Sequence, residues 1–334
     1  MEILISALVS IFLTLTTIKF LSSFALKINL VDKPDKFRKS HLGEIPLVGG
    51  ISILSSVIIV ILIFNFSAPY SFEIILGTAF VMFFGFLDDL NPHHWLLRLC
   101  SQVLASIFII SSANLSIESI GSIKLLGEID ISSISVPLTI LCVVGLTNAI
   151  NLLDGIDGLA SIVIIIALSA LLLLSESNTM NTILILFISS TAAFLHFNLG
   201  KRRNKIFLGD AGSLGLGFLL SWELIYYSSV NQIPSQLVLW LVAIPLLDTF
   251  RVMLNRYKEG KKLFEPDRKH LHHILIDLKL SKSKVLTIIG VLITMTSFIG
   301  VLINESLPEY SYYFFFLLVI GYTILIKNLK AKRT

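Results

Sequence analysis

The chain has 334 residues, of which 55% are hydrophobic and only 14% are charged, and its mean hydropathy is +0.87. A soluble domain carries about 25% charged residues, so this composition excludes a soluble globular protein. The net charge of +4 does not indicate a function by itself, because the positions of the charges along the chain matter more. The two cysteines, Cys100 and Cys142, provide neither a disulfide framework nor a zinc signature.

Long runs without charge predict an all-α, polytopic integral membrane protein. A helix needs about 20 apolar residues to cross the hydrocarbon core, and backbone groups in lipid must bond internally. We predict about eleven transmembrane helices, at residues 3–25, 47–66, 71–88, 95–113, 134–152, 158–175, 181–198, 212–229, 235–254, 285–304 and 310–327. The first lacks a basic n-region and a small-residue cleavage site, so we expect a retained helix. The whole chain, 1–334, is expected to form a single membrane-embedded domain.

The basic residues predict the orientation of the chain. Eleven crossings place the termini on opposite sides, and all of the 26 Lys and Arg residues except Lys19 and Lys124 fall in or beside the loops of one side. Because cytoplasmic loops carry an excess of Lys and Arg, we expect the N-terminus outside and the C-terminus in the cytoplasm. In the one longer outside loop, about 114–133, alternation around Gly127 predicts a small hairpin.

The first acidic motif is Asp88-Asp89, at the end of the third predicted helix. Adjacent carboxylates repel each other and need a cation, a proton or a hydrogen-bond donor nearby. The alternative interpretation is a solvated helix end before the Asn91-Pro92 turn.

The second motif, Asn148-Ala-Ile-Asn-Leu-Leu-Asp-Gly-Ile-Asp-Gly158, carries a polar residue at every third position. A continuous helix would spread these groups around its circumference, whereas a break at Gly155 and Gly158 would let them converge. Their oxygens are hard ligands suited to Mg²⁺. The alternative is a polar helix–loop–helix turn, which the cost of placing four such groups at a membrane boundary disfavours.

The third motif, Gly209-Asp-Ala-Gly-Ser213, leads into the eighth predicted helix. Glycines let the backbone approach a ligand closely, and the free N–H groups of a helix start favour phosphate. Asp210 could hold a metal ion there, or it could serve only as an ordinary N-cap.

The fourth motif is Pro266-Asp-Arg-Lys-His-Leu-His-His273. Its three histidines, with Arg and Lys, form a cationic edge that could bind phosphates. The spacing of Leu271, Ile274, Leu275 and Leu278 predicts a short amphipathic helix at the membrane surface. A zinc site lacks a suitably spaced thiol or carboxylate, and a basic patch attracted to anionic lipid is the simpler alternative.

Two further features are less specific. The segment from Asp32 to Gly50 is a basic loop on the predicted cytoplasmic side, and by itself it is typical of a solvated loop. Asp248 lies in an apolar run after Pro245, and Arg251, one helical turn away, is its simplest partner.

Acids, amides, glycines and cations therefore gather on one predicted face, as a metal-assisted reaction between a nucleotide phosphate and a lipid phosphate requires. The sequence resembles the polyprenyl-phosphate N-acetylhexosamine-1-phosphate transferases, or glycosyl transferase family 4, over nearly its whole length. The resemblance is carried by five ordered motifs: Asp32 followed by Arg38-Lys-Ser-His41, Pro46 and Gly49-Gly50; Asp88-Asp89; Asn148 to Gly158; Gly209 to Ser213; and Pro266 to His273. The last motif resembles the WecA and teichoic-acid branch, which uses UDP-N-acetylglucosamine, and the Pro-x-His-His-His run typical of the peptidoglycan branch does not occur in this sequence.

The resemblance implies transfer of N-acetylhexosamine 1-phosphate from a UDP-sugar to undecaprenyl phosphate, with release of UMP, at the cytoplasmic face of a bacterial plasma (inner) membrane. It implies Mg²⁺ as the cofactor, with Mn²⁺ as a substitute, and the partners UDP-N-acetylhexosamine, undecaprenyl phosphate and membrane lipid, without nucleic acid; a homodimer is left open. The residues it places in the catalytic machinery are Asp88, Asp89, Asp154, Asp157, His270 and His272. The substrate-binding residues it implies are Lys39, His41, Asn148, Asn151, Arg268 and His273. The metal ligands it implies are Asp210 and Asn151.

Three alternative functions can be compared with this interpretation by their expected sequence features. A transporter would place its carboxylates near the bilayer midplane, often in repeated halves, whereas these gather at one predicted face without a repeat. A CDP-alcohol phosphatidyltransferase would carry a DGxxAR signature, and the segment that begins at Asp154 lacks its Ala-Arg pair. An enzyme of the peptidoglycan type, using UDP-N-acetylmuramoyl-pentapeptide, is the nearest alternative.

Overall fold

The computed structural model describes residues 1–33, 43–176, 179–200, 204–260 and 269–332. Within these ranges its α-helices are α1 (Glu2–Lys27), α2 (Gly49–Phe64), α3 (Ser71–Leu90), α4 (Trp95–Ala113), α5 (Ser135–Leu153), α6 (Leu159–Leu174), α7 (Thr179–Asn198), α8 (Gly209–Ser229), α9 (Ser235–Leu241), α10 (Ala243–Lys258), α11 (Leu271–Asp277), α12 (Lys282–Ser306) and α13 (Ser311–Ala331). Two antiparallel strand pairs accompany them: β1 (Val31–Asp32) with β2 (Ile45–Pro46), and β3 (Ser119–Ile123) with β4 (Gly127–Asp130). The second pair confirms the hairpin predicted around Gly127.

Seven helices are long and apolar enough to cross a membrane, judged by length and composition over the described ranges. They are α1, α3, α4, α5, α7, α12 and α13, and the bent pair α9–α10 would make an eighth span. Helices α2 and α6 are also apolar but have only 16 residues each. The protein is therefore a mainly helical, multi-pass membrane protein, while the count of eleven spans and the orientation stay predictions.

The single helix predicted over 235–254 is wrong, because the structure has two helices there. Helix α9 ends at Leu241, α10 begins at Ala243, and the two are bent by 74°. Pro245 explains the position of the break, since proline has no N–H to donate to the carbonyl four residues earlier and is tolerated only in the first turn of a helix. Helix α10 therefore begins anew two residues before Pro245.

The chain divides into two compact units. Unit 1 comprises Met1–Leu115 and Ile140–Glu223, and unit 2 comprises Ser116–Thr139 and Leu224–Thr334. The boundaries of the units fall within α5 and α8. The single domain expected from the sequence stays a prediction.

Glycines bring the start of α8 into backbone contact with two other helices of unit 1. A Cβ atom on Gly85 of α3 would lie 2.7 Å from backbone atoms of both Asp210 and Ala211. A Cβ atom on Gly50 of α2 would overlap the backbone of Gly212. Because only glycine permits these approaches, the first turn of α8 is fixed against α2 and α3.

In unit 2, α11 confirms the short amphipathic helix predicted near residue 271, and its apolar face is buried against other helices of the same unit. Leu271, Ile274 and Leu275 are at most 4% exposed, and α11 packs against α12 and α13. The amphipathic pattern indicates that one face is buried, without indicating what buries it. Here protein, and not lipid, covers these side chains.

Candidate active site

Polar side chains from four helices of unit 1 meet at the start of α8. We call this group the acidic cluster; its members are Asp88 and Asp89 of α3, Arg98 of α4, Asn151 of α5, Asp154 just after α5, and Asp210 and Ser213 of α8. Helices α3 and α5 end here, and α4 and α8 begin here. The cluster therefore lies where the ends of otherwise apolar helices leave backbone groups to be paired.

Asp89 caps the N-terminus of α8. Its carboxylate accepts hydrogen bonds from the backbone N–H groups of Asp210 at 2.9 Å and Ala211 at 3.0 Å, which are donors that a helix start leaves without an intrahelical partner. Gly209 makes this possible, because its φ is +77° and a Cβ atom there would lie 2.6 Å from Asp89 Oδ2. The capping role considered for Asp210 therefore belongs to Asp89.

Asp88, the neighbouring residue, faces different donors. Its Oδ2 accepts a hydrogen bond from Arg98 Nη1 at 3.0 Å, and its Oδ1 accepts one from the backbone N–H of His93 at 2.7 Å. The two adjacent carboxylates thus reduce their mutual repulsion by binding separate donors. They are not interchangeable, since one holds a helix start and the other faces a guanidinium group.

Asp210 is held from two sides and is still accessible. Its Oδ2 accepts from Arg98 Nη1 at 2.5 Å, and its Oδ1 accepts from Asn151 Nδ2 at 3.0 Å. The same amide nitrogen of Asn151 donates to Ser213 Oγ at 2.8 Å. The Asp210 side chain is 32% exposed, so this carboxylate is oriented by its neighbours and open to a ligand.

The break predicted within the motif from Asn148 to Gly158 is confirmed. Helix α5 ends at Leu153, and Gly158 has a φ of +82° before α6 begins. Asn151, on the last turn of α5, binds Asp210, and Asp154 lies close enough to Asp210 for their charges to interact. The end of α5 thus places Asn151 and Asp154, from the middle of the motif, in the acidic cluster.

The outer members of the same motif have other partners. Asn148 Nδ2 donates to Gln102 Oε1 of α4 at 2.7 Å, a contact that joins α4 and α5 inside unit 1. Asp157 forms an ion pair with Lys205 at 2.7 Å, with 15% and 17% of the two side chains exposed. The motif therefore supplies one helix-packing contact, two members of the acidic cluster and one ion pair, and its four polar residues do not converge on one point.

Carboxyl groups outnumber cationic groups in the acidic cluster, which contains four aspartates and one arginine, and Arg98 pairs with only two of them, Asp88 and Asp210. The carboxyl group of Asp154 has no hydrogen-bond or ion-pair partner among the described residues. Its pKa is raised well above the usual range, first because the surrounding protein desolvates the charged form and then because Asp210, Asp89 and Asp157 repel it. A bound cation would relieve this repulsion.

The predicted histidines lie in unit 2, in a second polar group that we call the histidine cluster: Asp248 and Arg251 of α10, His270, His272 and His273, and Tyr322 of α13. Arg251 Nη2 lies 2.6 Å from Asp248 Oδ1, which confirms the predicted pair. His270 Nδ1 lies 2.8 Å from the other carboxylate oxygen. His270 and His272 are 3% and 0% exposed.

His272 corrects the prediction of a cationic edge built from three histidines. The pKa of His272 is lowered to about 3, mainly by burial and then by the neighbouring His273 and His270, while Asp248 acts in the opposite direction. His272 is therefore neutral at pH 7 and adds no positive charge for a phosphate. The folded state also resists its protonation, so this side chain contributes less to stability as the pH falls below its unfolded pKa of about 6.5.

The structure thus divides the predicted site residues by unit. Unit 1 holds Asp88, Asp89, Asp154, Asn151 and Asp210 in the acidic cluster, with Asn148 and Asp157 in separate contacts. Unit 2 holds His270, His272 and His273. Lys39, His41 and Arg268 lie outside the described residues, and their roles stay predictions.

Sequence reasoning missed two residues with central positions. Arg98 joins Asp88 to Asp210, and the sequence did contain a signal, because it is the only charge in the fourth predicted helix and a charge within a membrane helix is costly. Tyr322 donates its hydroxyl to Asp248 at 2.9 Å. A tyrosine in an apolar, aromatic-rich helix carries no comparable signal.

Comparison with known proteins finds related sequences. The model of glycosyl transferase family 4 matches residues 71–228. The undecaprenyl-phosphate alpha-N-acetylglucosaminyl 1-phosphate transferase of Yersinia pestis is 35% identical, over 90% of this chain and 85% of that protein. Proteins of the same name from Escherichia coli K12 and Pasteurella multocida are 33% and 32% identical, over 95% and 91% of this chain and 90% and 88% of their own lengths.

Proposed function

This chain belongs to glycosyl transferase family 4, and we propose that it transfers N-acetylglucosamine 1-phosphate from UDP-N-acetylglucosamine to undecaprenyl phosphate. The observation that carries the proposal is the acidic cluster, all of whose residues fall within the matched range 71–228. In the reaction a phosphate oxygen of the lipid bonds to the β-phosphorus of the donor. The bond from that phosphorus to the bridging oxygen breaks, and UMP leaves with the oxygen.

The chemistry of the substrates explains why such a cluster is needed. The second pKa of a phosphate monoester is about 6, so the lipid phosphate is largely dianionic at pH 7 and needs no strong base. It does need alignment with the β-phosphorus and compensation of charge, because two anions must meet. An excess of carboxylates favours this reaction only if a divalent cation binds with the donor.

The residues of the acidic cluster fit a divalent cation, which we propose to be Mg²⁺, with Mn²⁺ able to replace it. Within the described residues no three carboxylate, histidine or cysteine side chains converge on one metal position. That is typical of Mg²⁺, which is usually held by one or two carboxylates together with substrate phosphates. Asp210, Asn151 through its amide oxygen, and the unpaired Asp154 are the proposed ligands. A cation bound there would neutralise charge on the diphosphate.

The other residues of the cluster position these groups. Arg98 orients Asp210 and Asp88 through one nitrogen, and it is the cationic side chain of the acidic cluster. Asp88 lies beside Arg98, whereas both carboxylate oxygens of Asp89 accept hydrogen bonds from the backbone of α8. We therefore assign the place beside the lipid phosphate to Asp88, and Asp89 supports the start of α8.

The remaining predicted roles stand as proposals on the family resemblance. Asp157, paired with Lys205, would lie at the nucleotide. His270, His273 and Arg268 would contact phosphate or sugar, with the rim formed by Lys39 and His41. We place the reaction at the cytoplasmic face of a bacterial inner membrane.

The proposed reaction predicts one lipid product. Purified protein, Mg²⁺ and undecaprenyl phosphate are incubated separately with UDP-N-acetylglucosamine, UDP-N-acetylgalactosamine and UDP-N-acetylmuramoyl-pentapeptide, and mass spectrometry identifies the lipid formed. We expect undecaprenyl diphospho-N-acetylglucosamine with one UMP released for each lipid. Excess chelator should stop the reaction, and added Mg²⁺ or Mn²⁺ should restore it. A product only from the pentapeptide donor would support the peptidoglycan-type alternative, and full activity in chelator would remove the metal from the proposal.

The proposed orientation predicts which loops react with a membrane-impermeant thiol reagent. In a background with Cys100→Ser and Cys142→Ser, cysteine is introduced at Asn204 or at Leu125, both of which are exposed. In intact cells Leu125→Cys should be labelled, because the hairpin lies in the predicted outside loop, and Asn204→Cys should react only after the membrane is opened. Labelling in the reverse order would show that the orientation is inverted.

A further inference from the structure

Asp248 is the centre of the histidine cluster. It lies in α10 and its side chain is fully buried. Its two oxygens accept hydrogen bonds from Arg251 Nη2 at 2.6 Å, Tyr322 Oη at 2.9 Å and the backbone N–H of Leu271 at 3.1 Å, and they lie 2.8 Å from His270 Nδ1 at the closest. One carboxylate therefore joins α10, the start of α11 and α13 within unit 2.

These contacts fix the chain on either side of His270. The backbone N–H of Leu271, the first residue of α11, is bound to Asp248, while Arg251 also donates to the carbonyl oxygen of Lys269 at 2.6 Å. Side chains of α10 therefore bind the carbonyl group of Lys269 and the amide group of Leu271, on either side of His270. This segment is the described end of the predicted phosphate-binding motif.

The same carboxylate fixes the imidazole ring of His270. An ionised carboxylate only accepts, so Nδ1 of His270 carries the hydrogen that faces Asp248. The ring is also stacked on that of His272, with centroids 5.8 Å apart and planes inclined by 6°. Its Nε2 is buried and has no hydrogen-bond partner among the described residues. His270 therefore presents one free nitrogen in one defined direction.

Tyr322 completes the set of donors from another helix. It is 5% exposed on α13, a helix whose other large side chains are mostly exposed. A fully buried carboxylate depends on each of its donors, because it has no water to replace a lost hydrogen bond. The hydroxyl of Tyr322 thus helps to determine where Asp248, and through it His270, is held.

We propose that Asp248 and Tyr322 are positioning residues for the glycosyl-phosphate transfer, acting through His270, which they hold in the orientation that meets the phosphate or sugar of a substrate. This inference rests on the proposed function. Neither residue touches the substrate: Asp248 determines the direction of the imidazole, and Tyr322 holds Asp248.

The test compares Tyr322→Phe, which removes one hydroxyl, with Tyr313→Phe on the same helix, where the side chain is 43% exposed. We expect Tyr322→Phe to lower kcat for sugar-phosphate transfer about tenfold, the effect of one hydrogen bond to a buried charge. The KM for the donor should change by less than about twofold, and the melting temperature in detergent should fall by only a few degrees, because one hydrogen bond is lost. Tyr313→Phe should match the wild type in all three measurements.

A double-mutant cycle separates positioning from a general structural effect. Because Tyr322 acts through His270, adding Tyr322→Phe to His270→Gln should lower kcat by less than about twofold further. A further tenfold loss in the His270→Gln background would show that Tyr322 acts independently, and wild-type kcat in Tyr322→Phe would likewise overturn the proposal. Asp248→Asn, which leaves only one acceptor oxygen, should behave like Tyr322→Phe with a larger loss.

A second measurement is independent of the proposed reaction. Solid-state NMR of protein labelled with ¹⁵N-histidine identifies the His270 signals by their loss in His270→Gln. In the wild type Nδ1 should be protonated and hydrogen-bonded, and this signature should weaken in Asp248→Asn and Tyr322→Phe. If no UDP-sugar is a donor, the proposed function is wrong, but the NMR spectra still test the contacts of His270. If the enzyme is active and the His270 signals of both variants match those of the wild type, only the positioning role is wrong.

Discussion

Asp210→Asn is expected to lower the rate of UMP release at least a hundredfold, or about 2.7 kcal/mol of transition-state stabilisation. The Asn side chain keeps the shape of Asp210 and can still accept from Asn151, but it removes the negative charge that faces Arg98 and the proposed cation. The structure sharpens this prediction, because Asp89 and not Asp210 caps α8. The rate is measured with purified protein at saturating substrates.

The matched control is Asp130→Asn, which makes the same change at an exposed position of the β3–β4 hairpin. It should leave the rate unchanged, and both variants should reach wild-type levels in the membrane. Raising Mg²⁺ should recover part of the activity of Asp210→Asn if its affinity for the cation is reduced. A rate for Asp210→Asn within about threefold of the wild type would show that Asp210 does not hold the metal, and Asp154, with Asp88 and Asp157, would then be the candidate ligands.

The sequence predicted the positions of most helices, because a long apolar run indicates a helix that is buried in lipid or in protein. It did not predict the break before Pro245, because a proline in a long apolar run is compatible with a kink, a break or a new helix start. It also could not tell what covers the apolar face of α11, since the spacing of Leu271, Ile274 and Leu275 is the same whether lipid or protein lies against it.

The candidate site was predicted as a set of residues, but not as a set of contacts. Asp89 accepts a hydrogen bond from Asp210, which lies 121 residues later in the chain, and local spacing carries no information about such a partner. The same holds for Arg98, which bridges Asp88 and Asp210 from α4. The charge of His272 was misjudged for a related reason, because burial depends on the packing around the ring and not on its neighbours in sequence.

Gly209→Ala is expected to reduce both stability and activity. Gly209 has a φ of +77°, where a side chain costs about 1–2 kcal/mol. The new Cβ would also lie 2.6 Å from Asp89 Oδ2, so the carboxylate must move away from the N–H groups of Asp210 and Ala211. We expect the free energy of unfolding to fall by about 3 kcal/mol in total. Transfer activity should fall at least tenfold, because Asp210 moves with the start of α8.

Gly127→Ala is the control, because it separates backbone strain from the contact with Asp89. Gly127 has a φ of +72° in the β3–β4 hairpin, and no heavy atom lies within 4 Å of a Cβ atom placed there. It should therefore lose only the strain energy of about 1–2 kcal/mol and keep wild-type activity. The difference between the two variants in thermal unfolding and in UMP release measures the cap that Asp89 provides. If both variants lose the same stability and both keep the wild-type rate, the start of α8 does not depend on Asp89, and the separate roles assigned to Asp88 and Asp89 are wrong.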